Sequence, residues 1–273
     1  MARAKTIQKE QLLSKFYALS ALIAAVVVNA AANIIPLNGN TTAQVSDAYP
    51  NLFAPAPYTF AIWGVIYAFL GGFAVYQFNA VRLRKKHSLL SENLVHHLST
   101  GFLLTSALNM AWMFAWHYRH IGTALLIMAA LLVVLVHNLR VLQGVKRSRW
   151  DTVFVVTPFS LYAGWVTIAT VANAVTWLVS AHWNGWGIAS WVWTLIVVLI
   201  GAAIIIAAGS RLRNPVFIAV GIWAYIGIYV RHITALDMRY LAVVITVIAA
   251  ITAMFYALLR VMPPRLRAQL HLR

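Results

Sequence analysis

Apolar runs of a length suited to crossing a bilayer follow one another from residue 14 to residue 260, and no acidic residue lies inside any of them. A helix of about 20 residues spans the hydrocarbon core, and hydrocarbon leaves no water for an unpaired backbone group. Continuous runs of this kind therefore read as helices. A membrane barrel would instead alternate over strands of about 10 residues. The predicted fold class is all-α, a polytopic bundle of about eight transmembrane helices. The 273-residue chain has only five acids, Glu10, Asp47, Glu92, Asp151 and Asp237, and 10% charged residues. A soluble domain carries about 25%.

The runs predict helices near 14–35, 57–79, 97–116, 121–140, 152–180, 188–208, 215–230 and 239–260. The first, preceded by Arg3, Lys5, Lys9 and Lys15, is too long for a cleaved leader's apolar region and reads as a retained signal anchor. Charge tests the count. With the N-terminus inside, 18 of the 21 Lys and Arg fall in inner segments. The bias places both termini in the cytoplasm, with a bacterial inner membrane as the expected location. The basic groups, including Arg82, Arg84, Lys85 and Lys86, sit at helix ends. They read as topology and headgroup signals, and no nucleic-acid partner is expected. Cysteine is absent, which removes disulfides and thiol chemistry.

Residues 36–56 form a polar, turn-prone loop without Lys or Arg, placed on the outer side by the charge pattern. The helix after it carries Phe60, Trp63, Gly64, Tyr67 and Gly71 along one face. Glycines there would let another helix approach, while Trp and Tyr offer flat apolar bodies with polar tips. The third run contains Asn109, Trp112 and Trp116. The fifth repeats Trp165, Ala169, Asn173 and Trp177 every fourth residue. Belt and packing roles account for Trp116, Trp177, Trp183 and Trp186. Trp63 and Trp165 lie too deep for a belt. Asn109 and Asn173 read equally as packing partners or as pocket lining.

Three blocks resemble the TspO/MBR family (translocator protein, peripheral benzodiazepine receptor, tryptophan-rich sensory protein). They are Ala54-Pro55-Ala56-Pro57-Tyr58-Thr59-Phe60-Ala61-Ile62-Trp63-Gly64-Val65-Ile66-Tyr67, then Leu108-Asn109-Met110-Ala111-Trp112, then Trp165-Val166-Thr167-Ile168-Ala169-Thr170-Val171-Ala172-Asn173. They stand in family order in the second, third and fifth helices, and the resemblance covers roughly 14–180. Pro158 lies seven residues before Trp165 rather than the family's four, and the loop is longer than the family form. The resemblance implies a five-helix bundle around a pocket lidded by the first loop, with porphyrins, haem, sterols or aromatic drug-like molecules as ligands. It makes Trp63, Tyr67, Asn109, Trp112, Trp165, Ala169 and Asn173 the expected pocket lining, and Asp47, Tyr49, Pro50 and Phe53 the lid. The expected division is a family-like domain at 1–181 and a three-helix extension with a basic tail at 182–273. Small residues of the sixth run, Gly201, Ala202, Ala203, Ala207, Ala208 and Gly209, suit close helix packing or a homodimer contact.

The expected function is that of a membrane ligand-binding protein, sensor, receptor or carrier, for a planar hydrophobic molecule such as a porphyrin, haem or a sterol. No cofactor is required, although a bound porphyrin or haem fits the resemblance. Two alternatives stand. A secondary transporter suits eight helices but lacks a carboxylate inside a span. A haem-containing redox protein would use His97 and His137, on consecutive antiparallel helices at similar depth. No other metal site is expected. No catalytic constellation is visible, so an enzyme is the weaker reading.

Overall fold

The computed structural model describes residues 2–79, 88–235, 237–264 and 267. The basic segment Arg82–Lys86 lies outside the described residues. Nine helices are used below: α1 Ala2–Ile34, α2 Thr42–Asp47, α3 Ile62–Asn79, α4 Glu92–His117, α5 Ile121–Val141, α6 Arg149–Ser180, α7 Ser190–Arg211, α8 Pro215–His232 and α9 Met238–Val261. All but α2 are long and apolar enough to cross a bilayer; for α3 the apolar stretch begins at the 3-10 turn Pro57–Ala61. Among the described residues there is no strand, and the all-α polytopic expectation holds.

Local signals set the ends. Ser91 caps α4 by accepting from Leu94 N at 3.2 Å. Ser148 and Asp151 form a capping box at the start of α6. Asn214 accepts from Phe217 N at 3.1 Å, and Pro215 follows at the first helical position, where a missing N–H costs nothing. Asp237 caps α9 at 2.8 Å. Within α6, residues Thr152–Val156 form a π-helical turn.

The chain divides into two compact units, Met1–Thr42 with Ile62–Tyr162, and Ala43–Ala61 with Ala163–Arg273. This partition differs from a break near residue 181. It separates the loop's main part from the helices before and after it, and it divides α6 by residue.

In the first unit α1 packs on α4 and α3, and α4 on α5. Phe73, Phe102 and Phe159 form its aromatic core, with centroids 5.1–6.3 Å apart in edge-on pairs. Polar ties cross between helices: Lys15 Nζ to Glu92 Oε2 at 3.2 Å, and Ser99 Oγ to Gln77 Oε1 at 2.6 Å. Asp151 is fully buried. Its carboxylate accepts from Tyr76 Oη (2.9 Å), Ser88 Oγ (2.5 Å), Leu89 N (2.9 Å) and Ser148 N (2.8 Å). The sequence placed this acid at a helix edge, with no sign that it would be an internal hub.

In the second unit α8 packs on α9, on α7 and on the 3-10 turn Pro57–Ala61. Glycine notches receive side chains: Gly209 takes Ile218, Gly221 takes Ile205, and Gly201 takes Tyr225, whose hydroxyl donates to Val198 O at 2.5 Å. Gly201 and Gly209 of α7 thus serve packing inside the chain, while Ala203 and Ala207 stay exposed. The expectation for α3 is corrected. Its Gly64 and Gly71 have nothing within 4 Å of where a Cβ would stand, so among the described residues no helix packs closely there.

Candidate functional site

The end of the first sequence block and the whole of the second meet in the first unit. The buried side of α3 is Ile62, Ile66, Leu70, Phe73 and Ala74. Trp63 and Tyr67 stand on its half-buried side, one turn apart, and stack with centroids 5.5 Å apart at 23°. Tyr162, fully buried on α6, meets Trp63 edge-on at 5.7 Å and 70°. Gly64 and Gly71, on the same side of α3, leave open space beside the stack.

The polar tip of Tyr67 turns inward. Its hydroxyl donates to Asn109 Oδ1 at 3.2 Å. Asn29 Nδ2 donates to the same oxygen at 2.8 Å, and to Ala25 O at 3.0 Å within its own helix. Tyr162 approaches both Tyr67 and Asn109. Asn109 is 1% exposed, and its Nδ2 is buried without an acceptor. An unspent amide donor of this kind costs about 1–3 kcal/mol.

Trp112, one turn along from Asn109, is buried and stacks on Trp116 at 5.5 Å and 23°. Trp116 Nε1 donates to Thr42 O at 3.2 Å. Asn38 takes a positive φ of 53°, which Asn tolerates, and donates from Nδ2 to His117 O at 3.0 Å. The end of α4 is thereby strapped by residues 38–42.

Trp165, Ala169 and Asn173 belong to the second unit. Trp165 is 4% exposed and meets Phe60 edge-on at 6.0 Å. Asn173 is buried and donates from Nδ2 to Ala169 O at 2.8 Å. The structure thus brings Trp63, Tyr67 and Asn109 together and places the Trp165, Ala169 and Asn173 stripe in the other unit.

The expected lid also belongs to the second unit, where α8 holds it. Asp47 Oδ1 accepts from Arg231 Nη2 at 2.8 Å, and Pro55 O accepts from Arg231 Nη1 at 3.2 Å. His232 Nε2 meets Leu52 O at 2.9 Å, Ala56 N donates to Gly227 O at 3.0 Å, and Trp223 Nε1 donates to Thr59 O at 3.1 Å. Phe53 is 1% exposed and packs edge-on against Tyr225 at 6.4 Å. Tyr49 is half-buried and Pro50 exposed.

Sequence reasoning missed Asn29 and Tyr162. The signal for Asn29 was available: a lone amide in an apolar run needs a partner. A signal existed for Tyr162 too: it stands three residues before Trp165, where the family pattern carries a tyrosine, just outside the third block.

Chemically, the first-unit cluster offers a flat aromatic face and satisfied hydroxyls. Among the described residues no group of three or more His, Cys, Asp or Glu converges.

The family described as TSPO-like protein matches residues 15–259. The chain belongs to the TSPO-like family. No curated protein and no solved structure matches it. The TSPO-like region runs through α7, α8 and most of α9, so the expected limit of the resemblance near residue 180 is corrected. Family membership together with eight candidate spans makes this TSPO-like chain an integral, multi-pass membrane protein.

Proposed function

We propose that this TSPO-like protein is a membrane receptor, sensor or carrier for a planar hydrophobic molecule of the porphyrin or sterol class, bound on the Trp63–Tyr67 face. The observation that carries the reading is the half-buried stack of these two rings beside open space at Gly64 and Gly71. Tyr67 spends its hydroxyl on Asn109, so what it offers outward is its ring. Such a surface suits a broad apolar body better than a polar solute. Trp112, Trp165, Ala169 and Asn173 remain candidate lining on the strength of the family resemblance alone. The basic bias of the loops supports cytoplasmic termini in a bacterial inner membrane. A C-terminal alkaline phosphatase fusion would be inactive under that topology.

Ion-coupled transport is the weaker reading. Asp151, the carboxylate buried at the start of α6, already accepts four hydrogen bonds and has no lone pair to spare for a moving proton.

The test is quenching of tryptophan fluorescence by protoporphyrin IX, on protein in detergent. Trp63→Ala removes a stacking face, and Gly71→Leu fills the open space beside it. Each should weaken binding about tenfold, because an aromatic contact with its buried area is worth about 1–2 kcal/mol. Equal affinity in wild type and both variants would remove the site.

A further inference from the structure

His97 on α4 and His137 on α5 lie near the same end of this helical hairpin, opposite its short connection at 118–120. Both side chains are exposed. Their ring centroids are 5.3 Å apart and the rings are tilted by 59°. The separation discriminates between two kinds of metal ligation. With a metal–nitrogen bond of ~2.0 Å and a ring centre ~1.2 Å behind the nitrogen, each centroid stands ~3.2 Å from the metal. Two axial imidazoles on opposite sides of a haem would then be ~6.4 Å apart, and two at a tetrahedral angle ~5.2 Å apart. The rings stand at the second distance. The axial haem pair expected from the sequence does not fit them as they are placed.

We propose that His97 and His137 form a two-nitrogen chelate for a late first-row divalent metal ion, bridging the open end of the α4–α5 hairpin. Three further observations support this. The rings meet across two helices. Both are exposed, so an ion reaches them without any core group moving. Beside them, the wholly buried Asn138 packs its amide onto Gly101, where a Cβ would come within 2.5 Å of Oδ1. This close seam fixes α5 against α4 one residue from His137 and one turn from His97, so the pair is pre-set. Among the described residues no third histidine or carboxylate completes the set. Water fills the remaining positions of a tetrahedral Zn²⁺ site; Cu²⁺, the tighter-binding spectroscopic probe, takes the same two nitrogens once the exposed rings turn to the ~4.5 Å of a cis tetragonal pair. Arg140 follows one turn after His137, and its charge keeps the affinity below that of a closed site.

The experiment is Cu²⁺ titration of untagged protein in detergent, followed by electron paramagnetic resonance. The wild type should bind one strong equivalent whose superhyperfine pattern reports two nitrogen ligands. His97→Ala and His137→Ala should each weaken binding at least tenfold, while His96→Ala should leave it unchanged. Circular dichroism checks that the variants fold; neither alters a core position. A second readout is thermal unfolding, where Cu²⁺ should raise the wild-type midpoint and move neither pair variant, because a ligand held only by the native state stabilises it. A signal surviving in both pair variants, lost in only one of them, or absent from the wild type overturns the chelate.

Discussion

The two units solve the same problem by different chemistry. Between helices in hydrocarbon there is little hydrophobic drive, so association rests on close packing and on hydrogen bonds. The first unit relies on side-chain polar ties: Asn29 to Asn109, Ser99 to Gln77, Lys15 to Glu92, and the four donors on Asp151. The second relies on glycines that admit a neighbour's side chain, at Gly201, Gly209, Gly221 and Gly227. One strategy is specific in chemistry and tolerant in shape. The other is specific in shape, with its polar ties concentrated where α8 holds residues 47–59. The aromatic face proposed to take a ligand sits in the first kind of unit, where polar ties hold α3, α4 and α1 while the space at Gly64 and Gly71 stays open.

The comparison breaks most sharply at Gly227. A Cβ there would overlap the Thr59 hydroxyl and come within 3.0 Å of its Cβ. Gly227→Val should destabilise the protein by about 3 kcal/mol, the upper part of the range for overpacking, read as thermal or denaturant unfolding in detergent. Thr59 Oγ1 is buried without a partner, so Thr59→Ala alone should cost little and should recover much of the loss in the double variant. If Gly227→Val unfolds like wild type, shape does not hold the second unit.

In the first unit the largest effect belongs to Asp151. Asp151→Ala strands four donors in a buried site and should cost about 2–4 kcal/mol. Asp151→Asn keeps the volume but turns an acceptor into a donor facing donors, and should recover less than half. Unfolding midpoints for the pair check this. A harmless Asp151→Ala would mean that water replaces the carboxylate with no loss.

How far the sequence carried is visible in these same residues. Eight runs with their charges outside were plain, because hydrocarbon penalises any other arrangement of that composition. Trp63, Tyr67 and Asn109 were legible as a motif, and they do come together. Asn29 was passed over because it lies inside the run that reads as a signal anchor. Asp151 was passed over because its partners Tyr76, Ser88 and Leu89 lie more than sixty residues away. The glycines of α3 and α7 look alike as sequence, yet Gly64 faces open space while Gly209 receives Ile218. Periodicity places a small residue on a face but does not say what stands opposite. The hold of α8 on residues 43–61 is likewise a long-range fact, hinted at only by the opposite charges of Asp47 and Arg231.

Smaller effects sharpen the comparison. Asn109→Leu leaves Asn29 still bonded to Ala25 O and removes the unspent Nδ2 but takes the acceptor from the Tyr67 hydroxyl, so the net cost should be about 1 kcal/mol. Asn29→Leu with Asn109→Leu should be no worse than either single change, and a double-mutant cycle reads the coupling. A coupling above about 2 kcal/mol would make this pair a principal tie of the first unit rather than one of several.

The smallest expected effect is at the ion pair that joins residue 47 to α8. Asp47 and Arg231 keep 45% and 30% of their side-chain surface exposed, so solvent and salt screen the attraction. Asp47→Asn should cost at most about 0.5 kcal/mol and should do so only at low ionic strength. Arg231→Met should cost more, about 1 kcal/mol, because the guanidinium also donates to Pro55 O and that carbonyl would lose its partner. Limited proteolysis of residues 43–56 at low and high salt separates the two contributions. If charge mattered most, both variants would open the loop alike and only at low salt. If the carbonyl bond matters most, only Arg231→Met opens it, and it does so at any salt, which would show that this unit secures even this exposed ionic contact through backbone geometry.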